Sequence, residues 1–300
     1  MTRNQCIAMG HCVVLFALLV MPSRESSAIT IHRANAEMKA ADLPTTPYLD
    51  RVGAVERIYA TRIDVGLHEP AMLSTADLLA AFEATDRVAV YATTAATERL
   101  PHYLDRMTAL VDELAARDLA TKQHMEATFD TMLAMRLFEQ AARFKLRFAA
   151  HLGDRFVPVV TWAPGFDADA PAVMALQEEG SLLARNVDRS GAHLVVVAGC
   201  RPSQRAIKEI NALPELVEAL DRIPVSWLVP ADRMTDPEFL REWNARFPRQ
   251  PAMFAYANAA WKGVEFQSMP RFQRFEGEQR IAQLLGWKRG GGAAQLEPLL

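Results

Sequence analysis

His193-Leu-Val-Val-Val-Ala-Gly-Cys200-Arg-Pro-Ser203-Gln-Arg-Ala-Ile-Lys-Glu-Ile210 is the stretch that decides the fold. Its first half is a valine-rich apolar run that ends at Gly199. Too short for a helix, it reads as a buried strand. Beyond it, Ile207, Ile210, Leu213, Leu216, Val217 and Leu220 recur at helical spacing, and Pro214 should kink or divide that helix. Cys200 falls between the two, at a helix N-terminus, where free N–H groups and the macrodipole favour a thiolate.

Outward from this unit, the chain alternates. Ile223–Val229 reads as a second strand. A loop follows, closed by Asp236 as N-cap and Pro237 at the first helical position, and Phe239, Leu240, Trp243 and Phe247 line one side of the next helix. Gln250–Tyr256 is a third strand, opened by Pro251; Trp261–Phe266 is predicted as its hairpin partner and Glu276–Trp287 as a terminal helix. Arg289-Gly-Gly-Gly292 suggests a flexible tail over 289–300. Upstream, Phe156–Trp162 reads as a strand, and Val173–Leu176 with Ser181–Arg185 as a hairpin turning at Gly180. This order implies a mixed sheet with helices on both faces.

The N-terminal half has helical periodicity. Ser74 with Asp77 marks a helix start, Val88, Val90 and Tyr91 suit a second short helix or a strand, and Leu104–Leu114 then Met125–Phe148 form two amphipathic helices that should pack antiparallel. Arg136, Arg143, Lys145 and Arg147 fall on what reads as a solvated face. Residues 29–73 are weakly patterned and suggest an extended lead-in, with one short strand or helix around Val55–Ile63. The divisions are therefore 1–28, 29–73, a helical domain over 74–152, an α/β domain over 153–288, and the tail.

Three hundred residues, half of them apolar, can bury a sizeable core, and a formal charge of −3 with mixed signs gives no reason for a nucleic-acid partner. Arg3, the apolar run Cys12–Met21 and the small residues Ser26-Ser-Ala28 have the form of a secretory signal peptide, with cleavage expected after Ala28 and a periplasmic destination. The apolar run is short of the ~20 residues of a membrane span, so no membrane association is expected after cleavage. Cys6 and Cys12 would leave with the signal, and Cys200 would remain without an intramolecular disulfide partner. The seven histidines show no metal-ligand spacing. Asp167 with Asp169 reads as a solvated turn. No phosphate loop or serine-nucleophile elbow occurs, so no metal and no cofactor is expected.

Gly199-Cys200-Arg201-Pro202-Ser203 resembles the Cys-x-Pro-Cys site of the thioredoxin superfamily, placed between the first core strand and helix. The likeness covers roughly 157–287. It implies that Pro251 is the cis-proline facing the active-site sulfur, that Cys200, Pro202, Ser203 and Pro251 form the reacting site, and that Arg201 and Gln250 contact substrate. The hairpin at 156–185 resembles the extension of periplasmic, cytochrome-maturation-type thioredoxins. Two departures matter: Ser203 stands where the resolving cysteine belongs, and Ala198-Gly199 replaces a tryptophan. In the helical half, one pair of helices resembles a tetratricopeptide-type repeat, without a second copy. Two functions follow. One is a monothiol protein exchanging disulfides with protein or small-molecule thiols, or acting as an isomerase; the other is a redox-silent adaptor of the cell envelope, using its helical half to hold a partner.

Overall fold

The computed structural model describes residues 25–95 and 97–300. The expected signal segment therefore lies largely outside the described residues. The chain forms helices in its N-terminal half and a mixed sheet in its C-terminal half. Seven helices come first: α1 (Glu25–Ala41), α2 (Tyr48–Arg62), α3 (Thr75–Ala92), α4 (Leu100–Ala116), α5 (Lys122–Ala134), α6 (Phe138–Arg147) and the single turn α7 (Ala149–Leu152). Ser74 caps α3 by accepting from the Asp77 amide at 3.2 Å.

Residues 29–73 are not an extended lead-in. They carry the end of α1 and all of α2, whose Val52, Val55 and Tyr59 are buried. The apolar positions there are sparse, and tertiary packing rather than local pattern holds the helices. Val88 and Val90 continue α3 to Ala92, so no separate element forms. The long helix expected over 125–148 is interrupted at Arg136, which takes a left-handed φ of 61° between α5 and α6.

Eight strands follow: β1 (Val160–Trp162), β2 (Ala172–Leu176), β3 (Leu182–Asn186), β4 (Ala192–Val197), β5 (Val225–Val229), β6 (Ala252–Ala255), β7 (Arg271–Glu276) and β8 (Gln279–Leu285). They form one sheet in the order β1-β3-β2-β6-β5-β4-β7-β8. Helices α8 (Arg201–Asn211) and α9 (Pro214–Asp221), divided at Leu213–Pro214, join β4 to the parallel β5, and α10 (Pro237–Arg246) joins β5 to the parallel β6.

Both crossovers step in the same direction along the sheet, so right-handed connections put α8, α9 and α10 on one face. Leu194, Val196, Trp227, Val229, Ala252 and Phe254 pack there, in a core continuous with that of the N-terminal helices. The opposite face, with Val195, Val197, Leu228 and Met253, is covered by Trp261 and Phe266 from the irregular segment 256–270. Helices on both faces were expected. A loop anchored by two aromatic side chains does that work instead.

The C-terminal end differs most from expectation. Residues 261–266 form no strand, and 276–287 form no helix. β7 and β8 are a hairpin through Gly277, whose φ is 59°. Ile281, Leu284 and Leu285 fit a helical pattern, but the strand alternates exposed and half-buried positions. Pairing of β8 with β7 at six positions outweighs that local signal. The tail is docked rather than loose, with Leu296 and Leu299 buried in the main core.

The N-terminal helices pack against the carboxyl end of β5 and β6. The Arg136 guanidinium is buried and donates to the Tyr256 carbonyl at 2.9 Å, the Ala255 carbonyl at 2.5 Å, Thr235 Oγ1 at 2.9 Å and the Leu133 carbonyl at 3.1 Å. Burial lowers its pKa to about 10. Asn258 Nδ2 donates to the Thr93 carbonyl at 2.8 Å, while its Oδ1 accepts from the Ala231 amide at 2.8 Å. Arg136 thus lies in a joint between the halves, where its spacing on a long helix had placed it in solvent.

Candidate functional site

β4 delivers Gly199 and Cys200 to the carboxyl edge of the sheet. Gly199 has a φ of 142°, a conformation that L side chains rarely adopt, and a Cβ there would stand 3.4 Å from Val229 Cγ1. Cys200 is the N-cap residue of α8; its carbonyl accepts from the Gln204 amide at 3.1 Å, and Pro202 lies in the first turn. Its side chain is half-buried. Sγ lies 3.1 Å from Ser203 Oγ, and it donates to the Met269 carbonyl at 3.5 Å. Ser203 is fully buried and Arg201 is exposed.

The cis proline next to the residue this sulfur contacts is Pro270, and the expectation that Pro251 is the cis proline is corrected. Among the described residues the cis peptide is Met269–Pro270. It opens β7, the antiparallel neighbour of β4, in the register that sets Arg271 opposite Val197. Carried two residues on, that register brings Met269 opposite Gly199. Pro251 also opens a strand, but β6 is parallel to β5, so its first residue lies toward the amino end of the sheet. From the pairings Trp227↔Ala252 and Val196↔Trp227, Pro251 falls level with Val195, two strands over and well below Cys200.

Gln250 is therefore not brought to the sulfur either. It is buried, its carbonyl accepts from Trp243 Nε1 at 3.0 Å, and both polar atoms of its side chain lack a partner among the described residues. The fold thus gathers Cys200, Pro202, Ser203 and Arg201, leaves out Gln250 and Pro251, and adds Met269 and Pro270. One signal for the missed pair was in the sequence: Met269-Pro270 precedes Arg271-Phe-Gln-Arg-Phe275, an alternating run that reads as a strand.

Chemically, the site offers one thiol, a buried hydroxyl beside it, and the Met269 carbonyl as an acceptor for the thiol. Among the described residues it has no second cysteine to pair with. No group of three or more His, Cys, Asp or Glu is gathered to hold a metal among the described residues. Among the same residues, no helix is long and apolar enough to cross a membrane.

No protein-family model matches the chain, and no curated protein does. One solved structure is similar, a thioredoxin-like protein from Bacteroides caccae. It shares 12% identity with this chain, covers 94% of it and 96% of its own length, and superposes with a TM-score of 0.29.

Proposed function

We propose that the chain is an exported, thioredoxin-like monothiol protein that forms mixed disulfides through Cys200. The observation that carries this reading is the position of Sγ, 3.1 Å from the buried Ser203 hydroxyl and against the Met269–Pro270 edge of β7. Further support comes from topology. The β4–α8–β5 unit, with the β7–β8 hairpin laid antiparallel on the far side of β4, is the central arrangement that a thioredoxin-like fold requires. β6 and α10 extend it.

In the reaction, the Cys200 thiolate attacks one sulfur of a partner disulfide. A Cys200–partner disulfide forms, the partner's own S–S bond breaks, and its second sulfur leaves as a thiolate that takes up a proton. Ser203 donates its hydrogen to the attacking sulfur before reaction. It cannot resolve the mixed disulfide, so release depends on an external thiol. Export to the periplasm, with removal of the segment ending at Ala28, supplies partners with disulfides.

The test is alkylation of native protein with iodoacetamide at mildly acidic pH, together with trapping of complexes that dissociate on reduction. Rapid labelling of Cys200, and loss of every reducible complex in Cys200→Ser, is the expected result. A thiol that labels only after denaturation, in a protein whose partners still bind Cys200→Ser, would establish instead a redox-silent adaptor. Ser203 in the resolving position is the observation that favours that second reading.

A further inference from the structure

Helix α8 carries a stripe of positive charge away from Cys200. Arg201, Arg205 and Lys208 are exposed, and their spacing of four and three residues puts them on one side of the helix, with Ala212 next in line. Lys288 and Arg289 are exposed on the C-terminal segment nearby. None of these five cations has a carboxylate within 4.0 Å among the described residues, although ion pairs engage many of the other arginines. The chain as a whole is negative. This local excess therefore stands out against the background.

The stripe ends at a cavity of about 390 Å³, walled by Ala212, Leu213 and Trp287, with Glu209 and Arg289 at its sides. Glu209 is already engaged: it accepts from Trp287 Nε1 at 2.8 Å and from the Gly290 amide at 3.1 Å. The Trp287 bond, then that from Gly290, hold its carboxyl below the ordinary range, and Arg289 and Arg205 are near enough to add to this. Arg289 thus lines the cavity beside this fixed carboxylate, and Arg205 stands one helical turn before Glu209.

We propose that this face of α8 and the C-terminal segment binds an acidic polypeptide segment that places one apolar side chain between Leu213 and Trp287. Eleven helical residues span ~16 Å, the reach of about five extended peptide residues. Acidic side chains meet Arg201, Arg205 and Lys208 in turn, and the cavity accepts an aliphatic anchor. A lipid headgroup would satisfy the cations but gives no reason for a single walled cavity at the end of the row. The inference goes beyond the thiol reading and does not depend on Cys200 reacting.

Fluorescein-labelled synthetic peptides test it by anisotropy at low ionic strength, using the full chain carrying Cys200→Ser so that no disulfide can form. The expected result is binding of an aspartate- and glutamate-rich peptide with one central leucine. Affinity should fall about tenfold in the double variant Arg205→Glu, Lys208→Glu and again on raising salt to ~0.5 M. Exchanging the leucine for serine should weaken binding by a further several-fold. Circular dichroism confirms that the variant, altered only at exposed positions, stays folded. Equal affinity of the charge-reversed chain, no binding of the acidic peptide at low salt, or binding of phosphatidylserine vesicles without the peptide would each overturn the proposal.

Discussion

The two ends of the central sheet treat their buried side-chain amides differently, although Arg233 Nε and Arg271 Nε at the carboxyl end also lack a partner among the described residues. At the carboxyl end of β5 and β6, the N-terminal helices pack against the strands. There the Arg136 guanidinium makes four hydrogen bonds, and Asn258 bonds Thr93 and Ala231. At the amino end, the Gln250 amide lacks a partner among the described residues, and so do Trp227 Nε1 and Arg189 Nη2. Arg189 is held there between the faces of Phe275 and Trp261, with its Nε donating to His193 Nε2 at 2.8 Å. Cys200 lies at the carboxyl end, just past β4.

Breaking the carboxyl end should cost most. Arg136→Met removes a donor shared by three backbone carbonyls and a hydroxyl, and should lower unfolding free energy by about 3 kcal/mol or more in urea titration. Gly199→Ala should cost about 1–3 kcal/mol from its φ of 142°, and should also shift Cys200 enough to change its alkylation rate. Ser203→Ala should cost about 1 kcal/mol and slow alkylation of Cys200, with the rest of the site unchanged.

Altering the amino end should do little or improve matters. Gln250→Leu removes two buried polar atoms that have no partner among the described residues and should be neutral or slightly stabilising. Pro251→Ala should leave the alkylation rate of Cys200 unchanged. An equal loss of thiol reactivity in Pro251→Ala and Ser203→Ala would erase the distinction between the ends.

Acidity should separate them too. Burial is the largest influence on His193 and lowers its pKa from the ordinary 6.5, with the Gly191 carbonyl opposing. The unfolded chain then binds the extra proton first, so the stability from this group is complete above pH 6.5 and is lost as pH falls below it. Asp130, in the helical half, behaves in reverse. Burial raises its pKa to about 6 against the opposing charge of Arg155. The folded chain holds the proton longer, so stability declines as pH rises between about 4 and 6, by at most about 3 kcal/mol. In thermal melts across that range, Asp130→Asn should flatten the second slope and His193→Gln the first.

Much of the α/β half could be read from local signals. The run into Gly199, the division at Pro214 and the Asp236-Pro237 start of α10 are each set by a few neighbouring residues, and each appears where expected. The β2–β3 hairpin also formed with its turn at Gly180, which has a φ of 90°. The N-terminal helices were legible where their apolar stripes are dense, as in α4. They were not where packing supplies what pattern lacks, as in α1 and α2. The pairing of Cys200 with Ser203 followed from spacing alone, since residues three apart meet on the first turn of a helix.

What the sequence by itself determined was the position of the thiol, at the junction of a buried strand and a helix. Strand identity there depends on near neighbours and on a continuous apolar run. Only the tertiary structure decided which proline lies next to the residue that thiol contacts. Pro251 and Pro270 both open strands, and nothing local separates them. Parallel pairing of β6 carries the first toward the far end of the sheet, and antiparallel pairing of β7 with β4 brings Met269, just before the second, to the sulfur. Strand direction is a property of the whole sheet, and so the neighbours of Cys200 were settled only when the sheet was.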